Sequence, residues 1–147
     1  MVAGRAEIVI RTALRWLLAL FYAFAGFQHL AEPAPFLAIT PAWVPAKGPV
    51  VALTGVAELL GAAALLQPWS DRLRRAGGWG LALYAVCVFP ANINHFALDM
   101  ARPDGGWGLG YHVPRMFAQP LFVWLALWVS YAVDWPLTPK KKGGRNR

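Results

Sequence analysis

The stretch Val50 to Leu66, VVALTGVAELLGAAALL, is almost unbroken apolar sequence with one ionisable side chain, Glu58, in its middle. As a helix its seventeen residues rise about 25 Å, close to the hydrocarbon thickness of a bilayer. A carboxylate at that depth is costly unless it is protonated, paired or hydrogen-bonded, so this helix cannot lie alone in lipid. Whatever the rest of the chain folds into must bring partners to Glu58.

Composition leaves few alternatives to a membrane protein. Hydrophobic residues make up 58% and charged residues 14%, against about a quarter charged in soluble domains. Mean hydropathy is +0.43. The 147 residues suffice for four spans with short connections and no separate soluble domain. A single cysteine, Cys87, excludes an internal disulfide and a CxxC redox pair. The net charge of +7 would suggest nucleic acid in a soluble chain. Here the charges sort by position along the chain, and the expected partner is the lipid bilayer, with no nucleic acid.

The expected fold is all-α, an integral membrane four-helix bundle. Residues 1–11 form a short basic head, residues 12–133 the bundle, and residues 134–147 a basic tail expected to be disordered. Spans are expected at about 12–30, 50–66, 77–98 and 114–133. Ala23-Phe24-Ala25 fits a signal-cleavage pattern, but the apolar run continues past it and further spans follow, which favours an uncleaved first helix. The connection from Ala31 to Pro49 holds Pro33, Pro35, Pro41, Pro45 and Pro49, so it cannot be one continuous helix. It keeps Phe36, Leu37, Ile39, Trp43 and Val44, and so should lie against the bundle or in the interface. Asp99 to Val113 reads as a glycine-rich loop, and Pro90 should kink the third span.

Lysine and arginine set the expected orientation. Head, second loop and tail carry Arg5, Arg11, Arg15, Arg72, Arg74, Arg75, Lys140, Lys141, Lys142, Arg145 and Arg147, eleven of the fourteen basic residues. Lys47, Arg102 and Arg115 are the other three. Both termini are therefore expected to be cytoplasmic, in the inner (cytoplasmic) membrane. The polar side chains of the spans then gather in the outer half of the bilayer, above an inner half of Leu, Ala, Val and Trp.

Helical spacing groups those polar residues. Tyr22, Gly26 and His29 fall on one stripe of the first span, and Thr54, Glu58 and Gly61 on one stripe of the second. Asn92 and His95 are neighbours on the third span, and Arg115 and Gln119 lie one turn apart on the fourth. If the stripes face inward they form one polar chamber, with Gly26, Gly55 and Gly61 permitting close helix approach. Arg115 is the expected charge partner of Glu58, with His29 second. Asn92 can also tie down backbone freed by Pro90. His95 and His112 read as surface residues. A metal set of His29, Glu58 and His95 lacks any tight spacing motif, and no metal site is expected. Trp43, Trp69, Trp79, Trp107 and Trp135 read as interfacial residues.

Taken together, Gly26-Phe27-Gln28-His29-Leu30, Pro41-Ala42-Trp43-Val44-Pro45, Gly55-Val56-Ala57-Glu58-Leu59-Leu60-Gly61, Phe89-Pro90-Ala91-Asn92, Arg115 and Gln119-Pro120 resemble the small four-helix membrane proteins of the DoxX family, over about residues 13–133. The resemblance implies a four-helix bundle whose site is His29, Glu58, Asn92, Arg115 and Gln119. It also implies a membrane subunit of a quinone- or thiol-linked redox system. The lone Cys87 departs from the paired cysteines of thiol-exchanging membrane enzymes.

The functional expectation is accordingly an oxidoreductase component. Glu58 and His29 serve as its catalytic groups, and Arg115, Gln119, Asn92, Tyr22 and Thr54 as its ligand-binding groups. A quinone is the expected ligand. No bound metal, flavin or haem is expected, so electrons require a protein partner, and a homodimer is the other assembly considered. The competing readings are a non-catalytic membrane chaperone or assembly subunit, and a small-solute transporter acting as a dimer.

Overall fold

The computed structural model describes residues 2–135, with side chains from residue 4 onward. Of the tail expected to be disordered, 134–147, residues 136–147 lie outside that range, whereas Asp134 and Trp135 are placed and bond to Arg11 and Trp124. Five helices make up the described chain: α1 (Val2–Ala31), α2 (Ala34–Ile39), α3 (Lys47–Leu66), α4 (Asp71–Met100) and α5 (Leu109–Val129). No strand occurs among the described residues. Gly4–Ala31, Lys47–Leu66 and Asp71–Met100 are long and apolar enough to cross a membrane.

Proline and glycine set the breaks. The basic head continues α1 without interruption, and that helix stops before Pro33, where the α conformation of the preceding residue is disfavoured. Pro33 then caps the short α2, and Asn94 Nδ2 of α4 donates to the Ile39 carbonyl at 2.8 Å, which fastens α2 over the bundle. Gln67 organises the α3–α4 turn by accepting from Trp69 N at 3.1 Å and Ser70 N at 2.9 Å through Oε1. The Ser70 hydroxyl caps α4 by accepting from Leu73 N. α4 runs through Pro90 as one helix. Gly108, at φ 73°, opens α5 five residues before the expected start at Pro114.

The long helices contact one another in the ring α1–α3–α4–α5–α1, and α2 touches α3 and α4. Two close approaches fix the ring. A Cβ on Gly26 would stand 2.7 Å from the Gly55 carbonyl, and one on Gly55 would stand 2.8 Å from His29 Cβ, so α1 and α3 cross backbone to backbone. Gly78 of α4 likewise leaves the space occupied by Ser130 beyond α5. Tyr22, Leu65, Leu81, Ala82, Ala126 and Val129 belong to the apolar core between these crossings. The outside is apolar as well: Phe24 is 66% exposed, Leu60 67%, Leu83 64% and Phe117 74%. A water-soluble domain rarely displays apolar side chains around its whole girth, whereas lipid tails solvate them without penalty.

Arg11 has a place that its sequence position did not suggest. It is 1% exposed and donates to the Trp128 carbonyl at 3.0 Å. It pairs with Glu7 at 2.9 Å and Asp134 at 3.4 Å, and its guanidinium lies over the rings of Trp128 and Tyr131. Counted from sequence among the topology charges, it also closes α1 onto the end of α5. The chain turn after α5 makes this possible, with Tyr131 at φ 61° and Ala132 N donating back to the Leu127 carbonyl.

Candidate functional site

The Gly26–Gly55 crossing decides the geometry around Glu58. It brings α1 and α3 so close that His29, nearly one turn beyond Gly26, lies over the face of α3 that carries Thr54 and Glu58. His29 Nδ1 is 3.1 Å from Thr54 Oγ1 and 3.2 Å from Glu58 Oε2. Thr54 Oγ1 donates its one hydrogen to the Val51 carbonyl at 2.7 Å, so it accepts from His29 and the imidazole carries its proton on Nδ1. Phe36 of α2 packs edge-on against the imidazole, with centroids 3.7 Å apart.

From the other side Tyr84 of α4 donates its hydroxyl to Glu58 Oε1 at 2.7 Å. Glu58 is 3% exposed, and its Oε2 makes no hydrogen bond despite the nearby imidazole, because the contact lacks hydrogen-bond geometry. One carboxylate oxygen is therefore satisfied and the other is buried without a donor. Tyr22 stands edge-on to Tyr84, with centroids 5.9 Å apart.

Glu58 lines a cavity of about 550 Å³. All seven residues singled out in the sequence, Tyr22, His29, Thr54, Glu58, Asn92, Arg115 and Gln119, line it together, with Tyr84. By position along the chain, Tyr22, Glu58 and Tyr84, well inside their helices, form its floor, and Phe36 of α2, Trp43 of the α2–α3 connection and Tyr111 in the first turn of α5 form its mouth. Since α3 starts at Lys47, Glu58 stands eleven residues, about 16 Å, from the helix start. That is deeper than a start at Val50 implies. Asn92 Nδ2 donates to Gln119 Oε1 at 2.9 Å, and Gln119 Nε2 donates to the Ala85 carbonyl. This pair joins α4 to α5 along one wall.

Two sequence expectations fail here. Arg115 does not reach Glu58: its Nη1 lies 2.8 Å from His95 Nδ1, and its guanidinium faces the Tyr111 ring. Arg115 is directed toward α4, and His29 is the basic group that meets the acid. His95 and His112 are not surface residues either, since His112 is wholly buried and His95 17% exposed at its side chain. His95 stands with Asp99 and His112, apart from the His29–Glu58 pair, so the set His29, Glu58 and His95 is not formed.

Sequence reasoning missed Tyr84, which it left within a purely apolar inner half. The signal was present: Tyr84, Val88 and Asn92 repeat at four-residue spacing and define the chamber-facing stripe of α4.

No curated protein and no solved structure matches the chain. A family described as a domain of unknown function (DUF8561) matches residues 18–130, a stretch that contains the whole cavity lining. This match overturns the resemblance to DoxX, which rested on short motifs common to small apolar helices with scattered polar residues. By a match over most of its length, the chain belongs to the DUF8561 family.

Proposed function

We propose that this protein is a multi-pass membrane protein that takes a small lipid-soluble molecule with a hydroxyl-bearing head into the chamber above Glu58. The observation that carries the proposal is the bare Oε2 of Glu58, buried in the lining of a 550 Å³ cavity. Ligand sites are commonly apolar clefts of about 300–1,000 Å³ with a few converging polar groups, and an unpartnered buried acceptor calls for a donor.

In this reading α5 is a fourth crossing, which its exposed Phe117 and Leu121 support, and both termini are cytoplasmic, which the distribution of eleven of fourteen basic residues supports. The chamber then opens toward the outer side of the inner membrane, and its ligand arrives from the bilayer.

The quinone class fits this chemistry in its reduced form. A quinol hydroxyl donates to Glu58 Oε2, the ring lies among Phe21, Tyr22 and Phe122, and Arg115 offers further N–H donors to the distant oxygen. Oxidation of a quinol releases two electrons and two protons. Glu58 accepts one proton and the other leaves to water at the chamber mouth, His29 and Tyr84 hold the carboxylate in place, and both electrons pass to a partner subunit.

Glu58→Gln tests the reading. The purified variant in mild detergent should bind a short-chain quinol at least tenfold more weakly than the unaltered chain, as followed by tryptophan fluorescence, with its helical circular dichroism unchanged. Unchanged quinol affinity overturns the proposal.

A further inference from the structure

Outside the Glu58 chamber, His95 and Asp99 stand one turn apart on α4 and face His112 in the first turn of α5. His112 Nε2 is 2.9 Å from Asp99 Oδ2, His95 Nε2 is 3.6 Å from the same oxygen, and all three ligand-type atoms lie within 4.8 Å of one another. An ion about 2.1 Å from each of its ligands in tetrahedral geometry holds them about 3.4 Å apart. The two distances to Asp99 fall on either side of that value.

The cluster is positioned from several directions. The Trp107 backbone N–H donates to Asp99 Oδ2 at 2.9 Å, and Gly106, at φ 53°, leaves the carboxylate the space that a Cβ would fill. His112 stacks on Phe96 with centroids 5.0 Å apart and planes 14° from parallel, and stands perpendicular to His95. His112 is 0% exposed, and its Nδ1 has no hydrogen-bond partner, so nothing on that side fixes its tautomer. With its proton moved to the unpartnered Nδ1, its Nε2 presents a lone pair to an ion. Two imidazoles and one carboxylate with open remaining positions form the donor set of zinc and of non-haem iron(II).

We infer that His95, Asp99 and His112 form a binding site for a divalent transition-metal ion, and that Arg115 opposes its occupancy. A guanidinium cannot accept a hydrogen bond, so the 2.8 Å contact makes His95 Nδ1 the acceptor and leaves the imidazole proton on Nε2, the atom facing Asp99. An ion bound at Nε2 moves that proton to Nδ1 and breaks the Arg115 bond. Arg115 also lines the quinol chamber, so metal binding releases a cation at the chamber wall.

The test uses the full chain in detergent, stripped with a chelator and titrated with Zn²⁺ alone by calorimetry. One ion should bind per chain. His95→Ala, at the most accessible member, and Asp99→Asn should each weaken binding at least tenfold, with circular dichroism confirming the fold. Arg115→Met should tighten it by threefold or more, because Nδ1 can then carry the proton and a nearby positive charge is gone. Absence of stoichiometric Zn²⁺ binding, or binding indifferent to His95→Ala and Asp99→Asn, overturns the site. Unchanged or weakened binding in Arg115→Met overturns the opposition by Arg115.

Discussion

Arg11 and Glu58 are both buried ionisable groups on helices of one bundle, and the protein treats them in opposite ways. Arg11 is enclosed by an acidic partner on its own helix, a carbonyl and two aromatic rings at the end of α5, and a further carboxylate from Asp134. It lines no part of the chamber. Glu58 receives one firm hydrogen bond, from Tyr84, and its other oxygen stays bare beside a cavity. Both terminal nitrogens of Arg11 are engaged, and although its Nε also lacks a hydrogen-bond partner it borders no part of the chamber, so this charge holds structure together. One left half satisfied is poised for a visitor.

The hardest blow to this contrast comes from Arg11→Ala. Glu7 and Asp134 keep access to solvent, so the cost lies in the emptied space against the Trp128 and Tyr131 rings and in the Trp128 carbonyl left without its donor: stability should fall by about 3 kcal/mol in a denaturation series, while quinol binding per folded molecule stays the same. A loss below about 0.5 kcal/mol would mean that Arg11 closes nothing. Next in size, Gly55→Ala pushes a methyl group into the Gly26 carbonyl and His29 Cβ, which should cost about 2 kcal/mol and displace His29 from the acid. Unaltered stability with unaltered ligand affinity would show that the crossing does not set the site. Glu58→Gln sharpens the comparison from the other side. It removes a buried charge and keeps an oxygen for Tyr84, so stability should change by less than about 1 kcal/mol even though binding collapses.

The smallest effect belongs to the exposed pair in the turn after α4, a solvated reference for the two buried groups. Hydrogen bonds from Arg102 and the Gly106 N–H hold the Asp104 carboxyl down to about 2, from an ordinary value of 3.8. Its contribution is complete above 3.8 and disappears as pH falls through about 2. Carboxyl NMR should follow that titration, and a midpoint at the ordinary value would show that the pair does not persist in solution.

Much of this organisation is legible in the amino-acid sequence. Long apolar runs mark the helices, the prolines from Pro33 to Pro49 mark the break between the first two spans, and helical spacing brings seven polar residues to one cavity. The failures share a physical cause: each depends on how an element is rotated or where it begins. Arg115 lies at the right height to meet Glu58 but turns toward His95. His112 reads as a loop residue until Gly108 starts α5 early and draws it inside. Burial of Arg11 needs the left-handed Tyr131, and no periodicity foretells a positive φ at a tyrosine.

The contact of α1 and α3 at Gly26 and Gly55 acts as a fulcrum. Main chain against main chain leaves nothing to compress, so the two helices can rock about that point but cannot draw nearer. A change in bilayer thickness or lateral pressure that tilts them would widen or narrow the chamber mouth under α2 while the imidazole-to-acid spacing beside the pivot stays almost constant. In the proposed reading, admission of a ligand and the chemistry at the floor are thus mechanically separable.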